Sequence, residues 1–236
     1  MNLIVKSSYD ELSAAAARVV AETLRAKPNA KLCLPTGRTP RGMYSELVRS
    51  YRRRSIDFSR ARIFQLDEYL GLHSSSHPGS FRSYLWREFL NHVNVRRANI
   101  NFIEPDYEQV IRDSGGIDLM ILGIGMNGHL GFNEPGSGPE SRTRAVTLAE
   151  STIKGMRQNF TPDELPLEGI TIGLATIMES REILLLASGA EKTAILAKAL
   201  TEPVSVAVPA SILQGHGNVT VITDQPVEFG NSGSDV

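Results

Sequence analysis

The stretch Ile117-Asp118-Leu119-Met120-Ile121-Leu122 runs straight into Gly123-Ile124-Gly125-Met126-Asn127-Gly128-His129-Leu130-Gly131-Phe132-Asn133-Glu134-Pro135-Gly136. A short, mainly apolar run bounded by glycine reads as a buried strand. The glycines behind it free the backbone to turn sharply and to approach a ligand. Loops at strand ends are where catalytic groups usually sit. This one holds a titratable pair, His129 and Glu134, together with Asn127 and Asn133. The pattern is that of an active site at the end of a buried strand.

Outward from it, similar runs occupy 3–5, 31–34, 62–66, 100–103, 170–173, 183–187 and 219–223. Most are continuous rather than alternating, as expected where helices cover both faces of a sheet. Helical patterns lie between them. Ser8-Tyr9-Asp10-Glu11 forms a capping box ahead of 12–26, and further helices are predicted over 40–53, 80–92 and 190–200. This alternation predicts an α/β fold: a largely parallel, doubly wound, Rossmann-like sheet. No repeat or linker interrupts it, so 1–225 reads as a single domain and 226–236 as a flexible tail.

Composition excludes several function classes. The 236 residues are 41% hydrophobic and 22% charged, which is ordinary for a globular chain. With 25 basic against 26 acidic residues, nothing favours bulk binding to nucleic acid or anionic lipid. The basic run from Arg49 to Arg54 reads as a helix end, where cations suit the dipole. Cys33, the single cysteine, lies in an apolar run and reads as a buried structural thiol in a reducing compartment. The start turns polar too soon for a signal peptide, and no run nears the roughly 20 apolar residues of a membrane span. A cytoplasmic location is expected.

Ligands of open parallel sheets bind beyond the carboxyl ends of the strands. Four such ends carry polar residues that a connection does not need. After 31–34 comes Pro35-Thr36-Gly37-Arg38-Thr39-Pro40, where Thr39 can cap a helix with Pro40 at its first position. Hydroxyls and free N–H groups at a helix start suit a phosphate, although a ligand-free capped turn explains this segment equally well. After 62–66 come Asp67 and Glu68. Adjacent acids are usually solvated, yet a carboxylate beside the crevice can act as a general base. The third end is the His129 loop. At the fourth, Lys192 lies in the first turn of a predicted helix, where the dipole disfavours a cation unless it meets an anion.

Two other readings fail on local grounds. Gly123 to Gly128 matches a dinucleotide fingerprint, but that motif needs a helix opening at its third glycine. Residues 129–139 are too rich in glycine and proline to start one, so no dinucleotide cofactor is predicted. His73 and His77 are four apart but sit among serines and beside Pro78, without further ligands, so no metal is predicted. His92 and His216 read as hydrogen-bond partners near helix ends.

Together, Leu34-Pro35-Thr36-Gly37-Arg38-Thr39-Pro40, the segment Leu66 to Leu72, Gly123 through Gly136 and the segment Pro209 to His216 resemble the glucosamine-6-phosphate deaminases. The resemblance runs from the first strand to Asp224. Its most specific part is Gly128-His129-Leu130-Gly131-Phe132-Asn133-Glu134-Pro135; sugar-phosphate lactonases of the same fold share a related loop without that ending. The resemblance implies an amino-sugar phosphate converted to a ketose phosphate with release of ammonia, and no cofactor. It assigns proton transfer at C2 to Asp67 and ring opening to Asn127, His129 and Glu134. Phosphate binding falls to the turn Thr36, Gly37, Arg38 and Thr39, to Lys192 and to Arg157. Some members carry aspartate at the position of Asn127, others asparagine. Longer members have a C-terminal extension, hexameric assembly and allosteric control. This chain stops about a dozen residues after its last predicted strand, resembling the short form, so a monomer or small homo-oligomer without that control is expected.

Three alternatives compete. A galactosamine-6-phosphate deaminase giving tagatose 6-phosphate differs by one hydroxyl at C4, and relative kcat/KM separates the two. A 6-phosphogluconolactonase is weakened by Asn133-Glu134-Pro135 and by Asp67-Glu68-Tyr69. A non-catalytic sugar-phosphate sensor normally carries a DNA-binding module, and none is visible.

Overall fold

Ser8 starts the first helix. Its hydroxyl accepts the Glu11 N–H at 3.3 Å, while the Glu11 carboxylate turns back to the N–H and hydroxyl of Ser7 at 3.1 and 2.9 Å. The expected capping box therefore forms with its second half displaced by one residue. The structure, a computed structural model, describes residues 1–72, 77–157 and 160–227. The expected tail lies outside these except for Pro226 and Val227, and His73 lies outside them too.

In chain order the first half contains β1 (Asn2–Val5), α1 (Tyr9–Ala26), β2 (Lys31–Leu34), α2 (Pro40–Arg52), β3 (Arg62–Gln65), β4 (Asp67–Tyr69), α3 (Phe81–Glu88), β5 (Ile100–Asn101) and α4 (Tyr107–Asp113). The second half contains β6 (Leu119–Gly123), β7 (Arg144–Thr147), α5 (Glu150–Met156), β8 (Glu168–Thr171), α6 (Leu174–Met178), β9 (Glu182–Ala187), α7 (Thr193–Thr201) and β10 (Val219–Thr223). Seven strands make one parallel sheet in the order β1-β10-β9-β6-β2-β3-β5.

Burial on both faces explains the continuous apolar runs. Leu32, Leu34, Ile63, Leu119, Ile121, Leu184 and Leu186 point to one side, where they pack with Leu12, Ala16 and Val20 of α1, Met43 and Leu47 of α2, and Leu85 of α3. Their neighbours Cys33, Phe64, Met120, Leu122 and Leu185 point to the other, against Tyr107 and Ile111 of α4, Ile177 of α6 and Leu196 of α7. Period-two alternation thus sends successive side chains into two cores. Within α1, Leu12, Ala16, Val20 and Leu24 repeat every four residues and are all buried. Each large member contributes about 1.5–3 kcal/mol by leaving water.

One expected strand belongs elsewhere. Residues 170–173 do not extend the parallel sheet; β8 lies between β4 and β7 in a second, antiparallel sheet. The chain leaves the main sheet after β3, and Asp67 pairs with Thr171 across the small one. Strands β4 and β7 and helices α4, α5 and α6 are not among the expected elements, and the remaining differences are of extent. The expected strand over 100–103 shortens to β5, and the helix over 80–92 breaks at Phe89 (φ −141°) into α3 and a 3-10 turn, Leu90–His92.

Candidate active site

Strand order locates the crevice. From β2 the sequence moves outward through β3 to β5, returns to β6 on the other side of β2, then moves away through β9 and β10. The direction of winding reverses between β2 and β6, and such a switch point opens a cleft at the carboxyl edge. The four polar strand ends follow β9, β6, β2 and β3, which are consecutive neighbours in the sheet. They come from distant parts of the chain and meet along one edge.

Beyond β2, the turn from Thr36 to Thr39 is bound by its carbonyls. Tyr44 donates its hydroxyl to Pro35 O at 2.6 Å, Tyr84 to Gly37 O at 2.6 Å, and Tyr9 to Arg38 O at 3.0 Å and Thr39 O at 3.1 Å. Gly37 has φ +101°, a backbone shape that favours glycine. The N–H groups of Gly37, Arg38 and Thr39 have no partner among the described residues. Thr39 is the residue before α2, with Pro40 first in the helix as expected, but it is itself helical (φ −58°, ψ −47°) and its hydroxyl caps nothing. The capping role read from sequence is therefore incorrect. That hydroxyl is free for another partner.

Beyond β9, Asp224 accepts hydrogen bonds from the Ser188 hydroxyl at 2.5 Å and the Gly189 N–H at 2.9 Å. This fixes the turn that leads through a 3-10 stretch, Ala190–Lys192, into α7. Burial lowers the pKa of Lys192, the Glu191 carboxylate opposes that, and the positive charge of Arg38 adds to the lowering. Two cations from separate strand ends thus repel one another, and neither has an ion-pair partner among the described residues. An anion between them would relieve both. Arg157, exposed at the end of α5, has no hydrogen bond or ion pair connecting it with this pair.

At the end of β3, the adjacent acids are both buried, with Asp67 6% and Glu68 8% exposed, contrary to the usual solvated case. Glu68 is saturated. It accepts from Gln65 Nε2, the Ser80 hydroxyl, and the N–H groups of Tyr69, Phe81 and Arg82, at 2.8 to 3.1 Å. A carboxylate at the start of α3 suits the helix dipole as well. Asp67 is the opposite, and its Oδ1 is buried without any partner among the described residues. Burial, reinforced by the negative charge of Glu68, pushes its pKa up to about 8. A carboxyl group in that condition readily exchanges protons with whatever enters beside it.

The His129 loop closes over the same place. Gly131 has φ +58°, and a Cβ there would lie 2.7 Å from Thr171 Oγ1 and 3.5 Å from Asp67 Oδ2. The Phe132 N–H donates to that Thr171 hydroxyl at 3.1 Å. Asn133 is fully buried and ties the loop down, donating to Leu130 O and Ile172 O at 2.8 Å and accepting from Arg144 at 2.9 Å. No helix starts at Gly128, which removes the dinucleotide reading structurally as well.

Three groups then form a chain. The Asn127 amide donates to Glu134 Oε2 at 2.7 Å, which turns Asn127 Oδ1 toward His129 Nδ1 at 2.8 Å. Nδ1 also lies 3.3 Å from Glu134 Oε2. Both neighbours of Nδ1 are acceptors, so this nitrogen carries the proton and Nε2 is left for a ligand. Burial would raise the pKa of Glu134. The hydrogen bond and charge of His129, with hydrogen bonds from Thr152 and Asn127, overcome it and hold the value down to about 2. Glu134 is thus a permanent anion behind the imidazole.

The structure therefore brings Asp67, Asn127, His129, Glu134, the turn Thr36 to Thr39 and Lys192 to one edge, and does not tie Arg157 to them. Sequence reasoning missed Glu68 as a helix anchor, Thr152 on α5, and the phenols of Tyr9, Tyr44 and Tyr84. Only pairing at long range reveals these. His92 and His216 are hydrogen-bond partners as expected, near Arg87 O and Ser180 O at 2.9 and 2.8 Å. A recess of about 760 Å³ lies elsewhere, lined by Leu70, Leu72, His77, Leu165 and Leu167, with none of the groups above. Among the described residues, no three His, Cys, Asp or Glu side chains are grouped to hold a metal ion.

A family model described as glucosamine-6-phosphate isomerases/6-phosphogluconolactonase matches residues 6–222. The chain is 45% identical to glucosamine-6-phosphate deaminase 2 of Bacillus subtilis (strain 168), covering 95% of each. Among solved structures it is similar to one described as a monomeric glucosamine-6-phosphate deaminase, with TM-score 0.91 and 38% identity, covering 95% of this chain and 98% of that one. The 6-phosphogluconolactonase of Trypanosoma cruzi superposes with TM-score 0.77 over 98% of this chain and 97% of its own at 20% identity, which is a likeness of fold alone.

Proposed function

The chain belongs to the family of glucosamine-6-phosphate isomerases and 6-phosphogluconolactonases, and we propose that it is a deaminase within it. It converts glucosamine 6-phosphate and water to fructose 6-phosphate and ammonia. The observation that carries this reading is the meeting, at one strand edge, of an unpartnered buried acid, an imidazole backed by a carboxylate, and two unpaired cations.

Arg38, Lys192 and the free N–H groups of the turn take the phosphate, as a backbone concavity next to cations does. Arg157 adds a further cation, as the resemblance implies; its helix already reaches the site through Thr152 and Glu134. This grip is remote from the reacting carbons, so its binding energy goes into placing them. His129 Nε2 moves the proton between the anomeric hydroxyl and the ring oxygen, and Glu134 stabilises the cation that forms on the imidazole. The open aldehyde acidifies the proton at C2. Asp67 takes that proton and returns it to C1, giving a ketimine that water hydrolyses to the ketone and ammonia. The ammonium group at C2 of the incoming substrate, beside Asp67, favours its ionised form by simple attraction. Proton transfers and a hydrolysis need acid and base, which these side chains supply, so the reading invokes no cofactor.

Each group comes from a single chain, and one similar solved structure is described as monomeric, so we propose that one chain is a complete unit. A buried, unpaired Cys33 fits a cytoplasmic setting. The test offers glucosamine 6-phosphate, galactosamine 6-phosphate and 6-phosphogluconolactone in parallel, reading ammonia for the two amino sugars and acid release for the nitrogen-free lactone. Ammonia and fructose 6-phosphate from the first are expected. Hydrolysis of the lactone alone would overturn the reading, and faster turnover of the second sugar would reassign the substrate.

A further inference from the structure

We propose that Tyr84 and Tyr9 are positioning residues of the phosphate site, acting on the outer side of a turn whose inner side meets the anion. The inference rests on the phosphate assignment above and goes beyond it, because neither phenol faces the anion. A peptide turn that is to bind an anion must aim its N–H groups at one point, which requires its carbonyls to point away and to be satisfied there. That condition is met at three of the four turn residues. The Gly37, Arg38 and Thr39 carbonyls, and that of Pro35 just before them, accept phenol hydroxyls. Arg38 O also accepts the Arg41 N–H at 3.3 Å, and Thr36 O has no partner among the described residues. The N–H groups of Gly37, Arg38 and Thr39 are left without partners among the described residues.

The phenols come from three different helices. Tyr9 opens α1, Tyr44 lies within α2 and Tyr84 within α3. Tyr44 is fully buried among Tyr84 and Phe89 and belongs to the core as much as to the turn. Tyr9 has a second duty, since its hydroxyl accepts the Gly42 N–H at 2.7 Å and so braces the start of α2. Tyr84 donates its hydroxyl to one acceptor, Gly37 O, at the one turn residue with positive φ, and the Arg41 side chain of α2 hydrogen-bonds the same phenol oxygen. Without that bond, the Gly37 carbonyl must find water, and the peptide between Gly37 and Arg38 loses its fixed direction. The Arg38 N–H belongs to that same peptide, so its aim is lost together with the carbonyl's.

Helix α3 also carries this effect toward the reacting end of the sugar. Its first turn is fastened to Glu68, next to Asp67, through the Phe81 and Arg82 N–H groups at 2.8 Å. One turn further on, Tyr84 fastens the same helix to the turn after β2. The helix is therefore a spacer between the acid and the anion site.

The test measures inorganic phosphate binding by calorimetry on the full chain, with Tyr84→Phe, Tyr9→Phe and the double variant. No turnover is needed, so the outcome is independent of which sugar is the substrate. The Kd for phosphate is expected to rise about fivefold in Tyr84→Phe and further in the double variant, in line with the loss of one hydrogen bond. Loss of melting temperature with an unchanged Kd in both single variants would mean that the phenols only hold the fold, and overturns the proposal. Should Tyr84→Phe fail to fold, an unchanged Kd in Tyr9→Phe alone overturns it. A wild-type chain that binds no phosphate overturns it as well. A chain that binds phosphate but deaminates no sugar refutes the reaction and leaves the positioning role standing.

Discussion

Asp67 and Glu68 are joined by one peptide bond and are equally buried, yet five donors surround one and Oδ1 of the other has none. That contrast sets their chemistry: the saturated acid holds a helix and the bare one exchanges protons. If Asp67 is the base, log kcat/KM climbs with pH and levels near pH 8, the value to which burial and Glu68 raise it. A flat profile between pH 6 and 9 would remove it from that role. Asp67→Asn should lower kcat by about 10²–10⁴-fold while phosphate still binds. Stability should move the other way. A carboxyl whose native pKa exceeds its unfolded value of 3.8 stabilises the fold most below that value, and loses the contribution as pH rises through about 8. The melting temperature of Asp67→Asn, compared with the parent, should therefore gain with pH between about 4 and 8. The sequence singles out Asp67 by its place right after the strand, but not the saturation of Glu68, because three of that acid's five donors arrive from residues 80–82.

Strand β4 and helix α5 mark what local pattern can and cannot convey. The strands of the parallel sheet are legible because both faces are buried and the runs are uniformly apolar. β4 and β7 carry Asp-Glu and Arg-Ala-Val-Thr, and become strands only by pairing with β8, about a hundred residues from β4. The apolar run at 170–173 resembled a main-sheet strand for the same reason that it packs well in the small one. Helix α5 matters through a single side chain, Thr152, which donates its hydroxyl to Glu134 Oε1. Hydrogen bonds to charged groups are worth about 1.5–3 kcal/mol, so Thr152→Val should reduce kcat/KM by about tenfold or more. Thr152→Ser should keep most of it. Equal activity of the Val variant and the parent, measured at several pH values, would detach α5 from the His129 pair.

At the scale of the molecule, the winding order gathers chemistry from positions as far apart as 36, 67, 129 and 192. Spacing alone could nominate these strand ends. Their adjacency follows from the order β9-β6-β2-β3, which no local pattern contains. The same order puts β2 in the interior of the sheet, with β3 on one side and β6 on the other, and Cys33 in its middle with no exposed surface. A thiol reagent can therefore reach this sulfur only when the core packed over it opens. Modification by such a reagent under native conditions should be slow, follow a single exponential, and slow further when inorganic phosphate is added. Fast labelling of the native chain would contradict this. The chain thus has a built-in gauge of its own opening, read from one atom without an introduced label and sensitive to whatever ligand steadies the turn three residues away.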